Sequence, residues 1–429
     1  MESLWRSTCP MPAFPPLRGP LAAEAAVVGG GLCGLLTAFA LQEAGLETVV
    51  LEAERILSGA SEGTTAKITA QHGLIYDRLL SQRGEAFARG YAQAQQHALA
   101  RYAALVRTLD IACQFERKPA FLYATAPSPA LERECAACER LGLPVSLTGA
   151  AALPFEAAQA LRMEDQAQFH PLRFGKALAR RLTVYEHTRV TGVHAGLLRT
   201  ERGEVRARHI VLCTHFPIRN VPGLYFARMH QARSYVLALD GAPDVGGMWR
   251  DASDGGYSLR NAGGLLLLGG AGHRTGRHPV SSSFRLLRDA ARTWYPDARE
   301  TARWSAQDCM TPDGIPYIGR YARTLPGVYV ASGFNKWGMT GSMAASELLC
   351  DLITRRRDYP YARLFSPRRL SRPEIVYSFA DAPRCPHMGC ALQWNPDTRT
   401  WDCPCHGSRF TRSGKLLDGP AVRDGCWQP

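Results

Sequence analysis

Residues 25–52 read Ala25-Ala-Val-Val28, Gly29-Gly-Gly31-Leu-Cys-Gly34, Leu35-Leu-Thr-Ala-Phe-Ala-Leu-Gln-Glu-Ala-Gly45, Leu46-Glu-Thr48-Val-Val-Leu51 and Glu52. The order is strand, glycine turn, helix, second strand and terminal acid, with Gly45 as a helix C-cap. Gly29 makes the tight turn, Gly31 lets a pyrophosphate approach the backbone, and Gly34 lets the helix pack close on the strand. The helix N-terminus offers free amides and a positive dipole end to phosphates. Glu52, about twenty residues on, can accept hydrogen bonds from an adenosine ribose. The segment therefore predicts a dinucleotide-binding unit at the start of an α/β sheet.

More distant segments favour FAD over NAD. After Glu52 come Ser58-Gly59 and Thr64-Thr65-Ala-Lys67-Ile-Thr. Residues 327–340 read Gly327-Val-Tyr-Val-Ala-Ser-Gly333-Phe-Asn-Lys336-Trp-Gly338-Met339-Thr340, with a helix pattern through Ile353. A strand, a glycine bend and a second helix N-terminus can present amides to the flavin pyrimidine edge. That edge becomes anionic on reduction, so a helix dipole and Lys336 would stabilise it. The same segment also reads as an ordinary strand-to-helix turn. A second glycine cluster, Gly269-Gly-Ala-Gly272-His273-Arg-Thr-Gly276, does not open directly into a helix, because Arg277-His-Pro279 intervenes. It predicts a strand end over the flavin rather than a nicotinamide site.

The C-terminal part carries a different chemistry. Cys385-Pro-His387 is followed after fifteen residues by Cys403-Pro-Cys405-His406. Two thiolates and two imidazoles converging from two loops can hold a 2Fe–2S cluster, cysteines on one iron and histidines on the other. Cys and His in pairs also suit tetrahedral zinc.

The full boxes, Cys385-Pro-His387-Met-Gly-Cys390 and Trp401-Asp-Cys403-Pro-Cys405-His406-Gly-Ser408-Arg-Phe410 with a following Gly419-Pro420-Ala421 turn, resemble the Rieske family. The resemblance implies cluster ligands Cys385, His387, Cys403 and His406, and a disulfide between Cys390 and Cys405 tying the two loops. It implies a Ser408 hydrogen bond to a cluster sulfur. Phe410 stands where high-potential relatives carry a tyrosine, so a lower potential is expected. Only Ile375-Val-Tyr-Ser-Phe379 reads as a strand before the first box, which makes the module short for an independent core. It is expected to need its metal, or to pack on the rest of the chain.

The remainder resembles the D-amino acid oxidase-like (glycine oxidase-like) FAD-dependent oxidoreductases, in the bacterial subgroup with a C-terminal Rieske domain. The matching segments are Ser3-Leu-Trp5, the glycine loop, Thr64 to Gly73, Phe169-His-Pro171, His215-Phe-Pro217, Thr311-Pro-Asp-Gly314-Ile-Pro-Tyr-Ile-Gly319 and Gly333 to Thr340. The implied fold class is α/β: a Rossmann-like doubly wound sheet binding FAD, an antiparallel-sheet substrate part, and a small all-β Rieske domain. Residues 1–356 would form the oxidoreductase, with FAD-binding segments at about 20–90, 160–216 and 306–356 and substrate segments at about 91–159 and 217–305. Residues 357–380 would be a basic linker and 381–429 the shortened 2Fe–2S domain. Cofactor-binding residues expected from these motifs are Gly29, Gly31, Gly34, Glu52, Thr64, Thr65, Lys67, Gly333, Gly338, Met339 and Thr340.

The chain has 429 residues, 46% hydrophobic and 21% charged, with net charge +13. Only five of the 51 basic residues are lysines, a bias that points away from nucleic acid. The densest cluster, Arg355-Arg356-Arg357 with Arg363, Arg368, Arg369 and Arg372, reads as a solvated linker or as a docking surface for an acidic redox protein. No apolar run has the length of a membrane helix, and the N-terminus lacks the order of a secretory signal, so a cytoplasmic protein is expected. Of thirteen cysteines, Cys135 and Cys138 lie in a polar helical stretch. Cys33, Cys113, Cys213, Cys309 and Cys350 read as small buried hydrophobes.

The expected function is oxidation of a small amine or amino-acid-like substrate by hydride transfer to FAD. Electrons then pass singly to the Rieske cluster and onward to an external acceptor. Lys336, Arg260 and His273 are the candidate catalytic residues, with Tyr235 as a further substrate-facing group. His72 stands where a histidine could attach the flavin covalently. Two other classes stay open: an electron-transfer module without its own substrate, and a redox-sensing flavin/iron–sulfur protein.

Overall fold

The strand Leu21–Val28 ends in four consecutive buried residues, Ala25 to Val28, the pattern of a parallel strand covered on both faces. In the computed structural model, which describes residues 2–219, 221–253, 255–277, 282–354, 361–369 and 383–425, it lies at the centre of an eight-stranded sheet. Thr48–Leu51 and Gly203–Leu212 flank it in parallel. Thr183–Tyr185 and Val328–Ser332 extend the parallel part outward. Between Leu21–Val28 and Thr48–Leu51 runs the helix Leu32–Glu43, which begins at Gly31 and stops where Gly45 takes φ +92°. Packed on it are the helices Gly338–Thr354 and, beyond, Glu85–Thr108.

A second eight-stranded sheet stands over the first. Its order is Arg299–Met310, His230–Asp240, Leu265–Arg274, Ser258–Ala262, Met248–Asp251, Ala120–Ala124, Gln159–Met163, Val145–Thr148. All its pairings are antiparallel except that of Met248–Asp251 with Ala120–Ala124. The glycine-rich run 269–276 is, as expected, the end of a strand, Leu265–Arg274. Helix Ser283–Trp294 covers one face of this sheet through Phe284 and Leu287.

The division into segments differs from the sequence expectation in three places. Gln159–Met163 and Arg299–Met310 belong wholly to the second sheet, because their pairing partners lie there. Helix Glu85–Thr108, placed by sequence mostly in the substrate part, packs on Gly338–Thr354 of the FAD-binding layer. The stretch read as a basic linker is also not simply solvated where it is described. Leu364 and Phe365 are buried in the main core. Arg369 forms a two-point ion pair with Asp313, at 2.6 and 2.9 Å. Arg355, Arg356, Arg357, Arg372 and the expected strand Ile375 to Phe379 lie outside the described residues.

The C-terminal module is a four-stranded antiparallel sheet of very short strands: Gln393–Asn395, Thr400–Asp402, Arg409–Phe410 and Leu416–Asp418. Among the described residues, no helix is long and apolar enough to cross a membrane.

Candidate active site and iron–sulfur module

The glycine turn is shaped by close approach. Gly29 has φ +104°, and a Cβ there would lie 2.5 Å from the Cys213 carbonyl oxygen. At Gly34 a Cβ would lie 1.9 Å from the Gly29 carbonyl oxygen, so only glycine lets the helix sit this close to the strand. A Cβ at Gly31 would approach only the Ser61 hydroxyl, at 3.3 Å, leaving the backbone accessible at the helix N-terminus. Glu52 fastens this turn: its carboxylate accepts from the Gly30 amide at 2.6 Å and the Glu54 amide at 2.9 Å. Burial raises its pKa, against the pull of those amides and of Arg189.

In front of the turn lies a cavity of about 650 Å³, within the roughly 300–1,000 Å³ usual for ligand sites. Of the residues expected to bind the cofactor, Gly29, Gly31, Glu52, Thr64, Thr65, Lys67, Gly338 and Met339 line it. Gly34, Gly333 and Thr340 do not; they shape the backbone behind. Gly333 takes φ +73° and Thr340 bonds to Thr69 and His72. The open glycine cradle and the cavity size fit a dinucleotide.

The candidate catalytic residues separate. Lys336 lines the cavity. It has φ +72°, and its Nζ lies 3.6 Å from where a Cβ on Gly272 would be, so it spans from the flavin loop to the roof strand. Its charge also reaches Asp308, a buried acid whose pKa is raised by desolvation and lowered by Lys336, His215 and Arg250. Arg260 is 1% exposed and outside the lining. It stacks over Trp5 at 5.4 Å, and burial lowers its pKa to about 9. His273 also lies outside the lining, its Nε2 3.0 Å from the Tyr235 hydroxyl. Tyr235 is on the wall.

His72 does not line the cavity. Its Nδ1 meets the Tyr91 hydroxyl at 2.7 Å, its Nε2 meets the Thr69 carbonyl at 2.8 Å, and its ring stacks on Trp337. Burial lowers its pKa to about 3, so the ring is neutral. Sequence reasoning missed Arg250, Asp308, His215 and Arg409 as lining residues. Arg250 and Asp308 sit on strands with no local motif, and His215 and Arg409 lie in recognisable segments that do not themselves point to the cavity; only the tertiary fold brings the four together. Cys33 and Cys213, read as buried hydrophobes, also line it, with their sulfurs 3.7 Å apart. Cys135 and Cys138 are free and buried on helix Pro129–Arg140.

In the module the two boxes form facing turns. Gly389 and Gly407 donate from their amides to the Cys385 and Cys403 carbonyls, at 2.8 and 2.9 Å. Cys385 is held to a pKa of about 7, first by a hydrogen bond with Cys403, then by Ser408 and the His387 and Met388 amides, against burial. His387 and His406 stand with ring centroids 4.9 Å apart. Burial lowers their pKa values to about 4 and about 3, so both are neutral imidazoles, the form that binds metal. The buried Nδ1 of His406 has no hydrogen-bond partner. Adjacent thiols, neutral rings and this orphaned acceptor fit a mixed-ligand cluster. The sulfurs of Cys390, Cys403 and Cys405 lie within 4.8 Å of one another. Cys390 and Cys405 are both unbonded thiols here, so their disulfide remains a proposal.

The model of the family "FAD dependent oxidoreductase" (DAO) matches residues 24–352, and that of the "Rieske [2Fe-2S] domain" matches residues 375–425. The second match decides the metal chemistry in favour of a 2Fe–2S cluster over zinc. A putative Rieske 2Fe-2S iron-sulfur protein of Bacillus subtilis, YhfW, is 32% identical over 98% of this chain and 96% of its own length. The cytochrome b6-f complex iron-sulfur subunit of Parasynechococcus marenigrum is 39% identical over 11% of this chain and 28% of that protein. Among solved structures, glycine oxidase from Geobacillus kaustophilus superposes with a TM-score of 0.70 at 21% identity, covering 82% of this chain and all of that one. L-proline dehydrogenase from P. horikoshii gives 0.70 at 18%, covering 81% and 97%. These likenesses show the fold.

Proposed function

Because the chain belongs to the family of FAD dependent oxidoreductases and carries a Rieske 2Fe–2S domain behind it, we propose that it oxidises a small amine or amino-acid-like substrate and passes the electrons singly to an external acceptor. When bound, FAD takes a hydride from the carbon bearing nitrogen and the cluster carries one electron at a time. The imine product hydrolyses in water. The observation that carries the reading is the single cavity that runs from the glycine turn to Arg409 and the segment Lys415 to Val422 of the iron–sulfur module. A dinucleotide site and a cluster module that share one wall suit a two-electron donor and a one-electron relay.

The residues of the chain supply binding and electrostatics. The Gly29–Gly31 backbone and the helix starting at Leu32 take the pyrophosphate. Cys385, His387, Cys403 and His406 hold the cluster. Lys336, at the roof, stabilises negative charge that develops on the reduced ring and can orient a substrate carboxylate. Arg260 acts behind the site, as a buried cation stacked on Trp5. The net charge of +13 suits an acidic redox protein as acceptor.

An anaerobic titration of the purified protein with a library of amines and amino acids tests this, followed by optical and EPR spectra. Bleaching of the flavin together with the EPR signal of a reduced cluster is the expected result. Bleaching only by a reduced carrier protein would support an electron-transfer module without its own substrate. No bleaching by either would leave the redox sensor.

A further inference from the structure

The glutamines Gln231 and Gln307 stand out because they are buried, polar and not explained by the cofactor sites. Gln231 is 1% exposed and Gln307 is 5%. In the antiparallel register Gln231 faces Cys309 and Arg233 faces Gln307, so the two amides are diagonal neighbours on one face of the roof sheet. Gln231 Nε2 donates to the main-chain carbonyls of His406 and Gly419, both at 2.8 Å. Gln307 Nε2 donates to the Gly407 carbonyl at 2.8 Å and to Asp418 at 3.2 Å. The Gln231 side-chain oxygen also lies within reach of the same Gln307 nitrogen, so one of its two N–H groups is shared between acceptors, and the Gln307 oxygen accepts from the Thr275 hydroxyl at 3.0 Å. Every amide oxygen and nitrogen of the pair is therefore used in one orientation. Turning the Gln231 amide over would aim its oxygen at two carbonyl oxygens.

Independent contacts agree. Asn395 donates to the Tyr235 hydroxyl at 3.4 Å. Asp397 accepts from the Ser283 amide at 2.9 Å and from the Ser282 hydroxyl, at the start of helix Ser283–Trp294. The fit is also steric: a Cβ on Gly276 would lie 2.4 Å from Pro404 Cα, and one on Gly407 would lie 2.5 Å from the Gln231 side chain. Phe226 meets the ring of His406 edge-on, at 5.7 Å between centroids.

We infer that the iron–sulfur module is permanently docked on the roof sheet, and that the Gln231–Gln307 amide clamp is the positioning device that fixes the His406-bearing loop against the FAD-binding cavity. Both glutamines act through the backbone of the loop, not on a reacting atom. The module does not need to swing between an electron donor and an acceptor; the transfer distance inside the chain is fixed by folding. This inference rests on the docking contacts and not on the identity of the substrate, so it can fail or hold independently of the amine reading.

The test uses the full holoprotein with a specific protease site inserted between Arg369 and Pro383, cut until the denaturing gel shows no intact chain, then run on a sizing column at physiological salt. The expected result is co-elution of both fragments, with flavin and iron in one peak. The double variant Gln231→Met/Gln307→Met keeps side-chain volume but removes all the donors. It should keep its flavin, release at least half of its module after cleavage and show altered EPR g-values for the dithionite-reduced cluster. The conservative Gln307→Glu, which replaces the donor by a like-charged neighbour of Asp418, should release it as well. Separation of the wild-type fragments overturns the docked module. Co-elution of the double variant with unchanged EPR overturns the clamp.

Discussion

Removing the Ser408 hydroxyl gives a direct reading of how the protein tunes its cluster. Ser408 is fully buried. Its oxygen accepts from the Ala421 amide at 3.0 Å, which leaves its single proton for the Cys385 sulfur, the contact that helps hold that thiol to about pH 7. A donor to a ligand sulfur stabilises the reduced, more negative cluster over the oxidised one. Only the difference between the two oxidation states moves a potential. Taking that difference as about 1.4 kcal/mol, near the net value of one hydrogen bond, and about 59 mV per tenfold for one electron, Ser408→Ala should lower the midpoint by about 60 mV. The value for hydrogen bonds to charged groups, about 3 kcal/mol, sets an upper bound near 130 mV by the same conversion. The assay is an EPR-monitored redox titration, with flavin reduction by substrate followed in parallel by stopped flow. Ser408→Thr keeps a hydroxyl and should recover most of the shift. A midpoint of Ser408→Ala that stays within experimental error of the wild type, with the cluster fully loaded, would refute the donor role.

Three further outcomes are expected. Lys336→Met should slow either flavin reduction or its reoxidation ten-fold or more, which corresponds to about 1.4 kcal/mol; stopped-flow rates unchanged from wild type in both half-reactions would end the catalytic assignment of Lys336. Arg369→Ala should cost about 3 kcal/mol, the lower end for breaking a buried pair, because Arg83 still lies 3.7 Å from Asp313. Burial pushes the Asp313 carboxyl up, but Arg369, with the Ile315 amide and Arg83, outweighs it and holds the group below the usual range. The pair's stabilisation is thus present above the unfolded carboxylate pKa and is lost as pH falls through the folded one; wild type and variant should converge in chemical denaturation at acid pH, and a constant gap contradicts the assignment. Since both ring nitrogens of His72 are engaged away from the cavity, acid precipitation should leave all flavin in the supernatant; flavin retained in the pellet would show a covalent link.

Local motifs were legible in the sequence because their chemistry is local. The turn Gly29 to Gly34 needs particular glycines within six residues, and Cys385, His387, Cys403 and His406 are spaced by two tight turns, so each could be read without knowing the fold. The strand reading of the Gly269–Gly276 run also rested on a local fact, the residues between it and the next helix. Arg260 shows the limit. An arginine on a strand beneath a glycine-rich run looks substrate-facing, but the side chain lies under Trp5, a residue 255 positions earlier in the chain, and no local signal reports that. Arg369 fails for the same reason: within an arginine-rich stretch its identity says solvent, while Asp313 at 2.6 Å holds it in a part-buried ion pair. Arg409 carries no motif of its own beyond its place in the second box, and its position on the cavity wall depends on how the module docks.

The inferred docking also bears on the stability of the module. Its strands are two or three residues long, and its apolar cluster is Cys385, Leu392, Cys403, Cys405, Phe410, Leu416 and Ala421. Three of those seven are cysteines, and among the described residues this is a small core, of the kind that usually leans on a metal or a neighbouring surface. A self-supporting iron–sulfur domain must bury its cluster loops against strands of its own. Here the loop from Cys403 to Gly407 instead lies on His230–Asp240 and Arg299–Met310, whose Gln231 and Gln307 satisfy its carbonyls. On the docking inferred above, the oxidoreductase sheet supports this loop and ties the stability of the module to the body of the chain. The distance between the two cofactor sites and the stability of the module then depend on the same contacts, since any change that loosens one loosens the other.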